Sequence, residues 1–348
     1  MANIAKTDDQ SISVVNTLAS YIQSGNLSFL IGSGASMPAI QVAGDIEATI
    51  NGLIEEGKLD EANLAALNFI EEIEDANEDV VADILDGQTK TTFEAYRDFL
   101  RNVDRILFER KTSLLPRQAN LFTTNYDMFF ERSADALAGL ILNDGFDRAT
   151  GLTDTFRFAP EKYFDRTYRS GSVYGHQAEV PTFNLVKIHG SLSWGKKEDD
   201  AIVFDPKPPP GLSEEDKKNP KSVKDSLQRR ALILPNIRKF ESTLLDRVYF
   251  DLLRIYSNSL ERENALVITF GFSFEDEHIL DITRRGLRNP TAQLIIFSYS
   301  PESATEYALK FSEQRNVLVV APPEDEKLGF AELNSLLSQV TAKPNNHE

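Results

Sequence analysis

The sequence predicts an α/β fold, an open and mainly parallel sheet with helices on both faces and a helical subdomain inserted near its start. Three observations predict it. Short apolar runs recur through the chain at Leu27 to Ile31, Asn120 to Thr123, Leu185 to Ile188, Ala231 to Leu234, Ala265 to Phe270, Gln293 to Phe297 and Val317 to Val320. They are continuous rather than alternating, which suits strands buried on both faces. Helical stretches separate them, as parallel crossovers require. Between the first two runs lie about 85 residues with no strand pattern, too long for a loop and therefore read as a helical insert over 45–115.

Within that insert Leu64, Leu67, Ile70 and Ile73 recur every three residues and share a helix face. The span Asp45 to Val80 carries twelve carboxylates against Lys58 alone, a balance of −11 in thirty-six residues. A solvated helix face explains such a run, with a partner surface as the alternative. Further along, Asp147 to Val180 is mixed and aromatic and has no assignable pattern, while Asp205 to Lys224, with PKPPPGLSEEDKKNPK, reads as a mobile surface loop. The tail Ala342 to Glu348 is expected to be disordered.

Composition narrows the function. The 348 residues hold 37 Lys+Arg and 54 Asp+Glu, a net charge of −17, and no cysteine. A disulfide framework, a thiolate zinc site and a cysteine nucleophile are thereby excluded. The negative charge argues against direct nucleic-acid binding as the default. No apolar stretch is long enough to cross a bilayer and MANIAKTDDQ has no signal-peptide pattern, so no membrane association and a cytoplasmic location are expected.

Four strand ends carry the candidate chemistry. The first run leads into IGSGAS, where Gly32, Ser33, Gly34, Ala35 and Ser36 suit a backbone cradle for a diphosphate, with glycines free to take positive φ and a following helix N-terminus to add its dipole. A purely structural turn is the competing explanation, since neither the Walker lysine nor a third dinucleotide-fingerprint glycine is present. The second run ends in FTTNYD, placing Thr124, Asn125 and Asp127 where open α/β sheets bind ligands; helix N-capping by Asn125 or Asp127 is the alternative. KIHGSLSW puts His189 at the same rim, and ALVITFGFSFEDEHI ends with Gly271 and Ser273. His176 and His347 are expected to be structural, and His278 to begin a helix.

The conjunction resembles the sirtuin (silent information regulator) superfamily. GSGAS at 32–36, TTNYD at 123–127, HG at 189–190 and GFSF at 271–274 stand where that family carries its glycine loop, its Asn-Asp segment, its His-Gly pair and its later Gly-Ser loop. SYS at 298–300 falls loosely at the adenosine-contacting position, and the likeness spans roughly residues 25 to 320. It implies a Rossmann-like NAD-binding domain over 1–325, with 45–115 inserted and 205–224 mobile, then a C-terminal helix and tail over 326–348. Sirtuin deacylases carry a four-cysteine zinc module, which this chain lacks, and Thr124 replaces the family's glutamine. TTNYD, KIHGS and FGFSFxDEH are instead similar to the bacterial sirtuin-like NAD hydrolases of antiphage defence.

That resemblance implies NAD as substrate, no metal, and cleavage to nicotinamide and ADP-ribose. Asn125 and His189 would be catalytic, Asn125 orienting the ribose and the attacking water, His189 acting as general base. Gly32 to Ser36, Thr124, Asp127, Gly271 and Ser273 would bind the dinucleotide. A toxic hydrolase needs control, and the core leaves no room for a separate sensor domain, so a homo-oligomer and a HerA-type ATPase partner are expected. An NAD-dependent protein deacylase and a non-catalytic NAD or ADP-ribose sensor remain the alternatives.

Overall fold

The structure, a computed structural model of the chain, describes residues 2–8, 13–42, 44–110, 114–148, 156–171, 177–197, 201–207, 209–233 and 247–342. Strand β1 (Asn3–Lys6) and helix α1 (Val14–Ser24) lead to β2 (Asn26–Ile31), followed by three helices, α2 (Gly44–Glu55), α3 (Leu59–Val81) and α4 (Gly87–Phe108). Next come β3 (Gln118–Thr123), α5 (Phe129–Asp135), β4 (Ile141–Asn143), β5 (Phe146–Asp147), β6 (Arg157–Phe158), β7 (Tyr168–Arg169), β8 (Ala178–Glu179), β9 (Thr182–Lys187), β10 (Gly190–Lys196) and β11 (Ile202–Phe204). Helix α6 (Pro220–Arg229) runs into β12 (Arg230–Leu232). The remainder alternates helices Arg247–Glu261, Glu277–Gly286, Pro301–Lys310 and Phe330–Ala342 with β13 (Ala265–Phe270), β14 (Gln293–Phe297) and β15 (Val317–Ala321).

Eight strands form one sheet in the order β1-β15-β14-β13-β2-β3-β9-β4, and every neighbouring pair is parallel. The continuous apolar runs are explained by cores on both faces. Leu27, Phe29 and Ile31 of β2 join Leu266, Ile268 and Phe270 of β13 in one core, whereas Leu30, Ala265 and Val267 enter the other. Strand side chains alternate faces, so a strand covered on both sides cannot show a polar period. On the first face lie α1, α4 and the helix Phe330–Ala342, through Leu18, Phe99, Leu100 and Leu333. On the second lies the helix Arg247–Glu261, through Tyr249, Leu252 and Tyr256.

Several expectations are changed. Ala231 lies in β12, which pairs antiparallel with β10 in a separate five-stranded sheet and not in the parallel one; Leu234 lies outside the described residues. The edge strands β1 and β4, only four and three residues long, were not among the predicted strands: β1 has no apolar run, and Leu140 to Leu142 at β4 is only three residues long. The Pro- and Lys-rich stretch expected as loop over 205–224 ends in α6, which starts at Pro220 behind an Asn219 cap and buries Val223 and Leu227. Proline at the first helical position lacks only a donor that would be unpaired there. Within the insert, α4 packs directly on the sheet, with Phe99 edge-on to Phe29 at 4.9 Å; α3 joins the same core through Leu67, Ile70 and Val80, and α2 meets α3 in a small separate cluster of Ile50, Ala62 and Ala66. Of 147–180, the described parts include the end of β5, β6, a 3-10 turn over Pro160–Phe164, β7 and β8. His176, His347 and 343–348 lie outside the described residues. Among the described residues no helix is long and apolar enough to cross a membrane.

Candidate active site

The chain leaves β2 toward β3 and β9 on one side, then returns to β13, β14 and β15 on the other. The switch point therefore falls between β2 and β13, and open α/β sheets bind ligands in that crevice. Ile31 and Phe270 are register partners, so GSGAS and GFSF leave the sheet side by side. Their glycines interlock. Gly32 N–H donates to Phe270 O at 3.1 Å and Gly34 N–H to Gly271 O at 3.0 Å. A Cβ at Gly32 would stand 2.4 Å from Gly271 O, and one at Gly34 2.9 Å from Gly271 Cα. Gly32 is extended, with φ −105°; the positive φ, +64°, belongs to Gly271. The glycines of the loop thus serve backbone approach between two strand ends rather than left-handed turns. The amides of Gly32, Gly34 and Ala35 are all engaged inside the protein, and the loop continues as a four-residue 3-10 turn, Ser33–Ser36, not as an α-helix.

Ser36 joins this loop to the next. Its hydroxyl donates to Asp127 Oδ2 at 2.7 Å, and Asp127 Oδ1 accepts the Phe129 amide at 3.2 Å at the start of α5. Asn125, 7% exposed, donates from Nδ2 to Gly32 O at 3.0 Å, to Ser36 Oγ at 3.1 Å and to Tyr96 OH at 3.3 Å. Its Oδ1 is buried without a hydrogen-bond partner. Two partners from the insert complete the cluster, Tyr96 of α4 and Asn77 of α3, whose Oδ1 accepts the Met128 amide at 2.8 Å. Burial, with Asp127 adding, lifts the Tyr96 phenol well above its ordinary range, so it stays a neutral hydroxyl.

Beneath this loop Lys187, 2% exposed, donates to Asp127 O and to Ser191 Oγ at 3.0 Å. It pairs with Glu131 Oε1 at 2.9 Å. Burial holds the Glu131 carboxyl above the usual carboxylate range despite the lysine.

His189 follows β9 on the far side. Gly190 takes φ +86° and a Cβ there would fall 2.0 Å from Ala231 O, so the glycine of the HG pair is required by the turn into β10. His189 Nε2 lies 3.1 Å from Asp276 Oδ2, close enough for an ion pair once the ring is protonated, although the geometry is not that of a hydrogen bond to that oxygen. Asp276 Oδ1 caps the helix Glu277–Gly286 by accepting the His278 and Ile279 amides, so His278 is the second residue of that helix. Strands β9 and β13 are three strand spacings apart, roughly 14 Å, and the contact exists because the segments beyond them converge over β2 and β3.

Other predicted positions lie apart from the cluster. Ser273 is exposed, its Oγ accepting the Glu275 amide at 3.4 Å. Thr124 and Ser33 are half-buried. In SYS, Ser300 caps the helix Pro301–Lys310 in a reciprocal box with Ser303, and Ser298 bonds to both residues. Neither Asp276 nor Tyr96 was singled out from the sequence: an aspartate just ahead of a helix carries only a capping signal, and Tyr96 on a helix reads as one more core aromatic.

A family model described as a SIR2-like domain matches residues 119–320, more than half of the chain. The chain belongs to the SIR2-like family. Membership implies an NAD-dependent enzyme. The matched SIR2-like segment starts at β3 and ends at β15, so the GSGAS loop, Asn77 and Tyr96 lie outside it. No curated protein matches the chain. Among the described residues no group of three or more His, Asp or Glu side chains is placed to hold a metal ion.

Proposed function

We propose that the protein is an NAD glycohydrolase, cleaving the nicotinamide N-glycosidic bond to give nicotinamide and ADP-ribose. The observation that carries this reading is the buried, unpartnered Oδ1 of Asn125 at the switch-point rim. An unmet buried acceptor is costly, and it suits a donor that arrives with the substrate, a ribose hydroxyl or the attacking water. The Nδ2 bonds fix which end of the amide is left without a partner.

In the reaction the C–N bond breaks with its electron pair leaving on nicotinamide, and positive charge develops on the ribose. A water oxygen bonds to the anomeric carbon, and His189 takes the water proton. The Asp276 carboxylate, 3.1 Å away, stabilises the imidazolium so formed. The GSGAS and GFSF loops would border the diphosphate, with fewer free amides than the glycine count suggests. We further propose that hydrolysis depletes NAD in antiphage defence, and that a homo-oligomer under a HerA-type ATPase restrains it.

The test is chromatography of NAD after incubation with the protein, with and without the ATPase, and with an acyl-lysine peptide in a third arm. Nicotinamide and ADP-ribose in equal amounts without peptide support hydrolysis. Peptide-dependent nicotinamide release would make the protein a deacylase, and intact bound NAD a sensor.

A further inference from the structure

We infer that Tyr96, on the crossover helix α4, is a positioning residue of the active site: its phenol sets the orientation of the Asn125 amide and keeps Oδ1 as the atom offered to substrate. The functional consequence rests on the hydrolase reading above; the geometry does not. Proton counting carries it. The single Ser36 proton goes to Asp127 Oδ2 at 2.7 Å. At the 2.9 Å contact between Ser36 Oγ and Tyr96 OH Tyr96 must therefore be the donor. The Tyr96 oxygen is then left as an acceptor, as is Ser36, and both face Asn125 Nδ2 at 3.3 and 3.1 Å. The second amide proton goes to Gly32 O at 3.0 Å.

Apart from the Asn125 proton held by Gly32 O, the donors of the chain Asn125, Tyr96, Ser36 thus run toward the Asp127 carboxylate. A flipped Asn125 would set its oxygen against the Gly32 carbonyl and the Ser36 and Tyr96 lone pairs. The phenol itself cannot turn away: its ring is stacked on Phe129 at 5.4 Å and meets Phe130 and Phe330 edge-on at 4.7 and 5.1 Å. Tyr96, Ser36 and Gly32 all lie outside the residues matched by the SIR2-like model, and of the three only Tyr96 comes from the insert, which thereby supplies one residue of the cluster.

The experiment is Tyr96→Phe in the full chain, which keeps the ring contacts. Two readouts are taken, nicotinamide release and hydrogen exchange of the Asn125 side-chain amide by NMR, assigned through its loss in Asn125→Asp. We expect kcat to fall about tenfold, the size of one neutral hydrogen bond, with KM for NAD unchanged within twofold and amide exchange at least tenfold faster. Unchanged exchange overturns the inference whatever kcat does. If the wild type releases no nicotinamide the hydrolase reading fails alone, and exchange still decides the role of Tyr96. Should Tyr96→Phe not fold, the wild type decides by nuclear Overhauser contact between the Tyr96 ring protons and the Asn125 side-chain amide protons: its presence places Nδ2 against the phenol, and its absence means that the amide is turned the other way and the inference falls.

Discussion

The two halves of the site are built by different means. On the β2 and β3 side, the Asn125 amide donates to three neutral oxygens, those of Gly32, Ser36 and Tyr96, and its own acceptor Oδ1 is left over. On the β9 and β13 side, His189 is held beside a single carboxylate that also caps a helix. The first arrangement specifies an orientation; the second supplies a charge. A buried neutral network is intolerant of any change in its donor count, whereas a carboxylate near an imidazole acts mainly through charge and tolerates imperfect alignment.

The largest effects should come from removing the two central groups. Asn125→Ala and His189→Ala are each expected to lower nicotinamide release by about 10²-fold or more. Asn125→Asp sharpens the comparison, because it is isosteric yet places an oxygen against the Gly32 carbonyl; it should lose as much as the alanine variant. Wild-type rates in both alanine variants would remove the catalytic assignment.

Smaller effects should follow from Asp276→Asn. Asparagine is as good an N-cap as aspartate, so the helix Glu277–Gly286 keeps its start while the charge beside His189 disappears. About a tenfold fall in kcat is expected, with the thermal midpoint moving by no more than a degree or two for a cap change of a few tenths of a kcal/mol. A matching loss of stability would show that Asp276 serves only the fold.

The smallest expected effect lies under the Asn125 loop. Because burial raises the Glu131 carboxyl above the usual range, its contribution to stability is full below the ordinary carboxylate pKa and declines as pH rises through the raised value. Glu131→Gln cannot ionise. The midpoint of the variant relative to wild type, followed by calorimetry from pH 4 upward, should therefore climb with pH. Asp104, raised by its own burial, is common to both proteins and cancels in the difference. A difference that falls with pH would mean that the pair with Lys187 outweighs desolvation.

The parallel strands of the core and the placement of Asn125 and His189 just beyond strand ends were legible, because an apolar run buried on both faces is a local pattern and the residue after it must lie at the rim. The loop glycines were recognised but for another reason than the structure shows: their space is filled by Gly271 and its neighbours, and no local pattern reveals which backbone will come within 3 Å. The antiparallel place of Ala231 was not legible either, since a run of four apolar residues carries no direction.

What the sequence by itself determined is the α/β class, the absence of any thiolate chemistry, and the motif residues that stand at four strand ends. Only the tertiary structure decided that those four strands are neighbours in the order β13-β2-β3-β9, that Asp276 meets His189, and that Tyr96 meets Asn125. Periodicity reports burial within one element, whereas contacts between residues 29 to 93 positions apart are set by the crossovers that order the sheet.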